Sequence, residues 1–349
     1  MEPIETQLHL LAAEYDQLTV IKVPNSTSKA DNLNHFFATV RNPADFTGTF
    51  DTDHCPHPHN VRWAAERFLK EKPDIVQGRC IVYNTNESFL ARMIAIEFDK
   101  IYAIAHPGRS RMFGFGLFCG SNGWWRTDVI CNLKMHGHML TEDIDSALRA
   151  YGSGKKAVHD MNVISYEMAP NTFGAFWKQR MRWTQGTFHH IIITIAKMLT
   201  YQIGWTQASI RHLPLIWNKP PTGKRTAMER MGIFSLLVTR EASFYLVSQH
   251  TCLLLSFVIT NWPRDARGLA HLVFFQYPMA EWFLFTTIGA LAAILYFTQR
   301  VRSEFTTWMS MVWFAVLYVP YLILQSVMGL YGHARELVKY SSWNPTARA

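Results

Sequence analysis

The sequence predicts an α/β domain followed by an α-helical region that crosses a membrane. Residues 1–186 alternate short strand-like runs with helical stretches, and alternation of this kind is typical of an open, mostly parallel sheet. After residue 231 the chain contains long uncharged stretches, and about 20 apolar residues suffice to span a bilayer. We therefore expect a domain at 1–186, interfacial helices and a linker at 187–231, membrane helices at 232–331 and a tail at 332–349.

The elements of the first domain follow from its pattern of apolar residues. The expected strands are 18–23, 48–51, 74–83, 113–119, 156–159 and 163–167. The expected helices are 8–16, 29–40, 60–70, 89–106, 141–151 and 172–184. The chain opens in the middle of this alternation, so we expect the domain to lack its first strand.

Three stretches in the second half are long enough to span a membrane. Residues 242–260 and 308–331 carry no charged side chain, and residues 268–297 carry only Glu281. Because Tyr277-Pro278 falls near the middle of 268–297, we expect a break there, between a short re-entrant helix and a full span. A buried helical core is the alternative for all three stretches.

The segment between the domain and the spans is of mixed character. Residues 188–202 suggest a helix lying in the membrane interface, or equally an amphipathic helix packing on the domain. The basic stretch 219–230 precedes the first span, so the positive-inside rule places the domain and the basic tail in the cytosol. If the domain and the tail lie on the same side, the chain between them must cross the membrane an even number of times. The sequence, however, shows three clear spans.

Composition limits the possible functions. The chain has 349 residues and a net charge of +8, and only 17% of its residues are charged, against about 25% in soluble proteins. This excludes a disordered chain and argues against a wholly soluble one. The basic residues form no continuous patch, so we expect no nucleic-acid partner. Five separated cysteines without a CxxC pair predict reduced thiols in the cytosol.

Two carboxylates follow the strand at 48–51. Asp51 and Asp53 stand at i and i+2, so their side chains point to the same side of an extended chain. Such a pair suits Mg²⁺ or Mn²⁺ together with substrate phosphates. A solvated strand end is the alternative, and zinc bound by Cys55, His57 and His59 is a weaker one.

The sequence Thr141-Glu142-Asp143 opens a predicted helix. Thr141 is a good N-cap residue, and acidic residues in the first turn favour the helix dipole, so capping alone could explain all three. The functional interpretation is that one of these carboxylates faces a substrate as a general base.

Three further groups could contact a ligand. Gln179, Arg182 and Trp183 share a helix face, where a guanidinium could bind phosphate and an indole could pack on a sugar; an interfacial Arg and Trp is the alternative. Lys29 lies at a helix start that could bind phosphate. The Cys119-Gly120 turn lets the backbone approach a ligand closely.

The order of these motifs resembles a known family. KADNLN, FDTDH, FCGS, TED and QRMRW, followed by spans, resemble the processive family 2 glycosyltransferases of the cellulose, hyaluronan and chitin synthase type. The resemblance covers residues of about 8–186 and the membrane layout. Residues 343–348, WNPTAR, resemble the W-x-x-T-x-R element that follows the last span in that family.

The resemblance implies a GT-A fold and inverting transfer of a sugar from a UDP-sugar to a growing polysaccharide. Asp143 matches the catalytic base, within the Thr141-Glu142-Asp143 motif. The other matched groups are the metal-binding and donor-binding Asp51 and Asp53, the nucleotide-side Lys29, the acceptor-end Cys119 and Gly120, and the motif Gln179, Arg182 and Trp183. The implied location is a multi-pass protein, with the plasma membrane as the expected membrane.

One departure leaves alternatives open. The nucleobase-contacting Asp and the D-D-G-type element of the family would precede residue 8, so we expect an N-terminally incomplete domain. A non-processive lipid glycosyltransferase of the ceramide glucosyltransferase type is one alternative. An inactive membrane scaffold is the other.

Overall fold

A computed structural model describes residues 3–40, 44–137, 141–185, 212–216, 218, 220–221 and 223–337. The predicted interfacial helix at 188–202 and the WNPTAR element at 343–348 lie outside the described residues, as does most of the predicted tail.

The described residues form a five-stranded mixed sheet that organises the first domain. Its order is β1-β4-β3-β5-β2, and its strands are β1 Phe46–Thr49, β2 Cys55–Pro56, β3 Ile75–Val82, β4 Gly123–Arg126 and β5 Ala157–Glu167. β3 and β5 pair in parallel, whereas the β1–β4, β3–β4 and β2–β5 pairs are antiparallel. The expectation of a mostly parallel sheet is therefore wrong.

The helices fall into two groups, those of the first domain and those of the apolar region that follows it. In the domain they are α1 Pro3–Glu14, α2 Lys29–Thr39, α3 Asn60–Glu71, α4 Phe89–Phe98, α5 His106–Phe113, α6 Thr127–Leu133, α7 Glu142–Gly152 and α8 Phe173–Gln185. The helices after the domain are α9 Ala227–Phe234, α10 Arg240–Thr260, α11 Ala266–His271, α12 Ala280–Val301 and α13 Trp308–Leu337. π-helical turns join α4 to α5 and α9 to α10, and another extends α11 to Gln276.

Two predicted strands are absent from the sheet. Residues 18–23 are irregular, with Leu18 and Ile21 exposed, because no strand lies beside them in the described part of the chain. Phe113 ends α5, and residues 114–119, of which 115–118 are buried, join no ladder. Gly116 donates one backbone hydrogen bond to the Ala157 carbonyl, at 2.7 Å, and its Cα packs against Val158, where a Cβ would be 2.9 Å from the backbone.

Other boundaries also differ from the prediction. The predicted strands 156–159 and 163–167 form one strand, β5, whose register shifts opposite Gly78 and Arg79. The helix expected at 89–106 continues to Phe113. β2, β4 and α6 were not predicted, because four apolar residues or fewer give no clear period.

Three helices are long and apolar enough to cross a membrane: Ala242–Thr260, Ala280–Val301 and Trp308–Ala334. The break predicted near Pro278 is confirmed, since the chain leaves helical geometry at Tyr277 and α12 begins at Ala280. The segment from Ala266 to Gln276 is a short helical piece and not a span.

The apolar region is anchored to the domain through the loop between α12 and α13. Ser303 N and Thr306 Oγ1 donate to Asp99 Oδ2 at 3.0 and 2.6 Å. Arg79 Nη2 donates to Asp99 Oδ1 at 2.7 Å and to the Val301 carbonyl at 2.6 Å. Buried charges need such partners, so this loop is held firmly against the domain.

Candidate active site

The turn after β1 meets the start of α2 at the floor of a cavity. The Lys29 ammonium pairs with Asp51 Oδ1 and donates to the Gly120 carbonyl at 2.6 Å. The Asp51 backbone N–H donates to Ser121 Oγ at 3.0 Å, which fixes the turn. Burial lowers the pKa of Lys29, but the carboxylates of Asp51, Glu142 and Asp143 more than offset this and hold that pKa above its ordinary value.

Asp143 lies directly over Gly120. Gly120 has φ +88°, and a Cβ there would be 2.9 Å from Asp143 Oδ2, so only glycine fits this approach. Burial raises the pKa of Asp143 against the lowering effects of the Ile144 N–H and Lys29. Burial and the charge of Asp143 raise the pKa of Glu142 to about 7. A carboxylate with a raised pKa suits general-base chemistry near neutral pH.

α7, which carries these carboxylates, is held by a different acidic residue. Asp145 is fully buried. Its carboxylate accepts a hydrogen bond from Arg149 Nε at 2.7 Å and lies 2.8 Å from His136 Nδ1 and 3.2 Å from His212 Nε2. The pKa of Asp145 is low because these partners outweigh its burial. Thr141 does not act as the predicted cap, since its hydroxyl is buried and finds no hydrogen-bond partner among the described residues.

The residues at the β1 turn fit a divalent cation. One ligand atom each of Asp51, Asp53 and His54 lies within 4.8 Å of the others. His54 Nδ1 lies 3.1 Å from Ser165 Oγ, and Nε2 lies 3.1 Å from Glu167 Oε2. Both ring nitrogens thus contact β5, so His54 ties the turn to the sheet, and Asp51 and Asp53 are the metal-ligand candidates. Cys55, His57 and His59 are not among the clusters that could hold a metal in the described residues.

The Cys119-Gly120 turn is positioned by β3. Gln77 Oε1 accepts from the Cys119 N–H at 2.8 Å, while Gln77 Nε2 donates to the Ser121 carbonyl at 2.9 Å. Asn122 adopts φ +49° and bonds to the Arg79 and Val163 carbonyls. These buried amide bonds orient the turn, so that Cys119 and Gly120 both line the cavity.

α8 contributes a cation and an indole to the cavity wall. The Arg180 guanidinium lies 4.3 Å from the Trp183 ring centroid and 5.1 Å from that of Phe176. Arg180 Nη2 also donates to Glu97 Oε2 at 2.8 Å. Burial would raise the pKa of Glu97, but Arg180 and neighbouring donors hold it below its ordinary value. A sugar-sized aromatic face thus lies beside a buried ion pair.

The Lys29–Asp51 pair, Asp143, the Cys119-Gly120 turn and Trp183 line one cavity of about 1860 Å³. It extends from the Lys29–Asp51 pair past Asp143 to Trp183 and then to Phe244, Phe297 and Gln325 of the apolar helices. A volume of this size accommodates more than one sugar unit, since drug-sized pockets measure about 300–1,000 Å³.

The structure brings most of the sequence-predicted site residues together. Those that line the cavity are Lys29, Asp51, Asp53, Cys119, Gly120, Thr141, Glu142, Asp143 and Trp183. Gln179 is buried and is not among the described lining residues, although its spacing in α8 places it on the same helix face as Trp183. The backbone places Arg182 in α8, and its side chain lies outside the described residues.

Sequence reasoning missed several polar groups that line the cavity, among them His54, Glu97, Arg109 and Arg180. His54 and Arg180 lie inside the FDTDH and QRMRW motifs, so the sequence could have identified them. Glu97 lies in the apolar helix α4, and its partners Arg180, Tyr321 and Gln325 are distant in sequence.

The comparisons agree with this geometry. Residues 49–327 match the sequence model described as "Glycosyl transferase family group 2". Probable glucomannan 4-beta-mannosyltransferase 7 of Oryza sativa subsp. japonica is 31% identical over 145 residues, covering 41% of this chain and 25% of that protein. Probable glycosyltransferase YdaM of Bacillus subtilis (strain 168) is 27% identical over 187 residues, covering 53% and 44%. The chain thus spans less than half the length of these relatives.

A solved structure shares the fold. The mannosyltransferase PcManGT from Pyrobaculum calidifontis, in complex with GDP-Man and Mn²⁺, superposes with a TM-score of 0.54 at 12% identity. The match covers 98% of this chain and 76% of that one. At this identity it supports the fold, a GT-A-like mixed sheet with covering helices.

Proposed function

The chain belongs to glycosyl transferase family group 2, and from this premise we propose that it transfers a sugar from a nucleoside-diphosphate sugar to a growing polysaccharide with inversion. The observation that carries the proposal is the single cavity that brings the Asp51–Asp53 turn, Asp143 and Trp183 together. A donor end, a base and an aromatic acceptor platform are the parts that such a transfer needs.

The proposed roles follow from position. Asp143 Oδ2, exposed to the cavity above Gly120, accepts the proton of the acceptor hydroxyl while that oxygen attacks the anomeric carbon. Lys29, held by Asp51 and the Gly120 carbonyl, binds the donor diphosphate. By its match to the family motif, Arg182 of α8 is assigned to the same diphosphate. Mg²⁺ or Mn²⁺ bound by Asp51 and Asp53 would stabilise charge on the departing diphosphate. Trp183 and the Cys119-Gly120 turn hold the acceptor.

Similarity to known proteins narrows the choice of donor and acceptor. The family resemblance favours a UDP-sugar, while the GDP-Man of the structural neighbour makes a GDP-sugar the competing donor. The names of the relatives, glucomannan 4-beta-mannosyltransferases, favour a β-linked hexose polymer as acceptor. We place the domain, 1–186, in the cytosol of a multi-pass protein of the plasma membrane, since apolar helices and the basic stretch 219–230 follow it.

The test is transfer by membranes that contain the chain, with labelled UDP-glucose, UDP-N-acetylglucosamine, GDP-mannose and GDP-glucose supplied singly. We expect one of them to enter a long polymer, EDTA to stop incorporation, and Mg²⁺ or Mn²⁺ to restore it. One sugar per lipid molecule would favour the lipid glycosyltransferase. Absence of transfer from every donor would favour the scaffold.

Asp143→Asn supplies the matched inactive variant. It removes the proton acceptor while keeping the side-chain shape, so we expect transfer to fall by about 1,000-fold or more with donor affinity nearly unchanged. Transfer is measured in the membrane assay and donor affinity by titration calorimetry. Activity within about tenfold of wild type would contradict the assignment of the base.

A further inference from the structure

Three side chains of different chemistry meet next to the turn that carries Asp51 and Asp53. They are His54, which follows Asp53 in that turn, Cys80 of β3 and Glu167 at the end of β5. One ligand atom of each, a ring nitrogen, the sulfur and a carboxylate oxygen, lies within 4.8 Å of the other two. None of the three has a role in the chemistry of the proposed sugar transfer, so their meeting needs another explanation.

The register of the sheet places Cys80 and Glu167 on one face. β3 and β5 run parallel, and Cys80 is paired with Ser165. Paired residues of neighbouring strands point to the same face, and so do residues at i and i+2 of one strand. Cys80, Ser165 and Glu167 therefore share a face. The His54 ring lies against it, with Nδ1 3.1 Å from Ser165 Oγ and Nε2 3.1 Å from Glu167 Oε2.

The contacts of His54 leave a place for a cation beside Nε2. In a neutral imidazole one nitrogen carries the hydrogen and the other accepts. When Nδ1 donates to Ser165 Oγ, Nε2 turns a lone pair towards the Glu167 carboxylate, and two acceptors at 3.1 Å repel each other unless a cation lies between them. A proton or a metal ion can fill that place. Metal-binding histidines generally donate from their second ring nitrogen to a protein oxygen, as His54 can do here.

The thiol of Cys80 favours a metal ion, and among metals it favours zinc. Zn²⁺ binds nitrogen, oxygen and sulfur together, whereas Mg²⁺ and Mn²⁺ prefer oxygen alone. At the usual bond lengths and tetrahedral angles, nitrogen and oxygen ligands of zinc lie about 3.4 Å apart, and sulfur lies about 3.6 Å from either. The 3.1 Å between His54 and Glu167 is close to this spacing. A movement of about 1 Å by the Cys80 sulfur would complete it.

The three ligands lie inside the protein. The His54 and Glu167 side chains are 2% and 8% exposed, and Cys80 is 1% exposed. A buried carboxylate is unfavourable unless a positive charge accompanies it. One Zn²⁺ balances the charge of one thiolate and one carboxylate, so the occupied site would carry no net charge.

We propose that His54 Nε2, the Cys80 sulfur and a carboxylate oxygen of Glu167 bind one zinc ion. Cys80 binds as the thiolate, and its proton passes to solvent when zinc enters. Water fills the fourth position of the tetrahedron. The ion joins the turn after β1 to β3 and β5, and it leaves Asp51 and Asp53 available to the Mg²⁺ or Mn²⁺ of the donor. The proposal does not depend on whether the chain transfers a sugar.

The zinc content of the full chain in detergent tests the proposal. The purified protein is stripped with a chelator, incubated with zinc chloride in the presence of excess Mg²⁺, desalted and measured by elemental mass spectrometry. We expect about one zinc ion per chain, retained against Mg²⁺ because the ligands include sulfur and nitrogen. Absence of retained zinc would overturn the proposal and leave a proton between His54 and Glu167.

Three variants locate the ion. Cys80→Ser should lose the zinc, whereas Cys131→Ser, on α6 and outside the cluster, should keep it. Ser165→Ala removes the partner of His54 Nδ1, and we expect it to weaken zinc affinity by about 10–100-fold, as loss of such partners does at other metal sites. Zinc retained by Cys80→Ser, or unchanged affinity in Ser165→Ala, would overturn the proposal.

Cobalt shows whether sulfur is a ligand without removal of Cys80. Co²⁺ binds to the same kinds of ligand as Zn²⁺, and a cobalt–thiolate bond gives a charge-transfer band in the near ultraviolet. We expect this band in the wild-type chain and in a folded variant whose only thiol is Cys80, with the other four cysteines replaced by serine: Cys55, Cys119, Cys131 and Cys252. Absence of the band from both would overturn the proposal, even if Cys80→Ser fails to fold.

Discussion

At the scale of single residues, the candidate site depends on how closely backbone and carboxylate approach each other. Gly120 lets Asp143 Oδ2 come within 2.9 Å of the position that a Cβ would take, and its carbonyl accepts a hydrogen bond from Lys29. Lys29 in turn pairs with Asp51. One turn of chain thus sets the spacing between the proposed base and the proposed donor-binding groups.

Gly120→Ala should lower kcat by about 100-fold while the protein stays folded. The added methyl displaces Asp143, and misplacement of a catalytic group by about 1 Å has effects of this size. The φ of +88° adds strain. Gly174→Ala is the control, because no atom lies within 4 Å of its new Cβ. Equal kcat for both variants in the sugar-transfer assay would show that the close approach is not needed.

Two buried histidines predict loss of stability in acid. Burial and the nearby Arg109 lower the pKa of His106 well below its usual range and that of His159 to about 3. The unfolded chain, with a pKa of about 6.5, then binds more protons, so stability falls as pH drops below that value. Each site loses about 1.4 kcal/mol between about pH 7.5 and pH 5.5.

His159→Gln should remove about half of this pH dependence, as measured by thermal unfolding in detergent. His9→Gln, at an exposed position of α1, serves as the control. If both variants show the wild-type slope, protonation of His159 does not contribute.

At the scale of elements, α8 is held in place by two neighbours at once. Glu97 of α4 binds Arg180 of α8 and also accepts from Tyr321 and Gln325 of α13. Because Arg180 lies over the Trp183 ring, the position of that ring depends on α13. A buried charge that loses one of its donors is destabilised, so the three helices should behave as one unit.

Tyr321→Phe should lower the free energy of unfolding by about 1.5–3 kcal/mol, since it removes a hydrogen bond to a buried carboxylate and leaves the ring. Tyr318→Phe is the matched variant, because Tyr318 is also buried and lies one turn away on α13. For its hydroxyl we expect a change below about 0.5 kcal/mol. Chemical unfolding in detergent measures both, and equal losses would argue against the role of the Glu97 contact.

At the scale of the whole molecule, the side of the membrane on which the domain lies can be read from two natural markers. Asn25 and Asn86 stand in Asn-x-Ser/Thr sequences and are both exposed. Their accessibility means that a glycosylating compartment would be able to modify them.

We expect both asparagines to stay unmodified when the chain is produced in a eukaryotic secretory system. The reason is the proposed cytosolic location of the domain, which rests on the proposed nucleotide-sugar donor and on the basic stretch 219–230. Peptide mass mapping before and after glycosidase treatment is the measurement. A glycan at either residue would place the domain on the other side.

Local sequence patterns were enough to identify most of the candidate site residues. Three local patterns were informative: carboxylates that follow a strand, acidic residues at a helix start, and apolar stretches without charge. Each can be recognised from the types of neighbouring residues alone. Asp51, Asp53 and Asp143 were found in this way, and the break before α12 followed from Pro278. Short strands such as β4 escaped, because four residues carry too little pattern.

Which distant residues meet depends on packing and strand pairing, and local sequence patterns do not contain this information. The direction of each strand depends on the neighbour that pairs with it, so the mixed order β1-β4-β3-β5-β2 could not be read from apolar runs. The contact of Gly120 with Asp143, and of Glu97 with α13, joins residues 23 to 228 positions apart. Apolar composition makes α13 resemble a span, whereas only packing shows that its buried residues lie in one cluster with α4 and α8 of the catalytic domain.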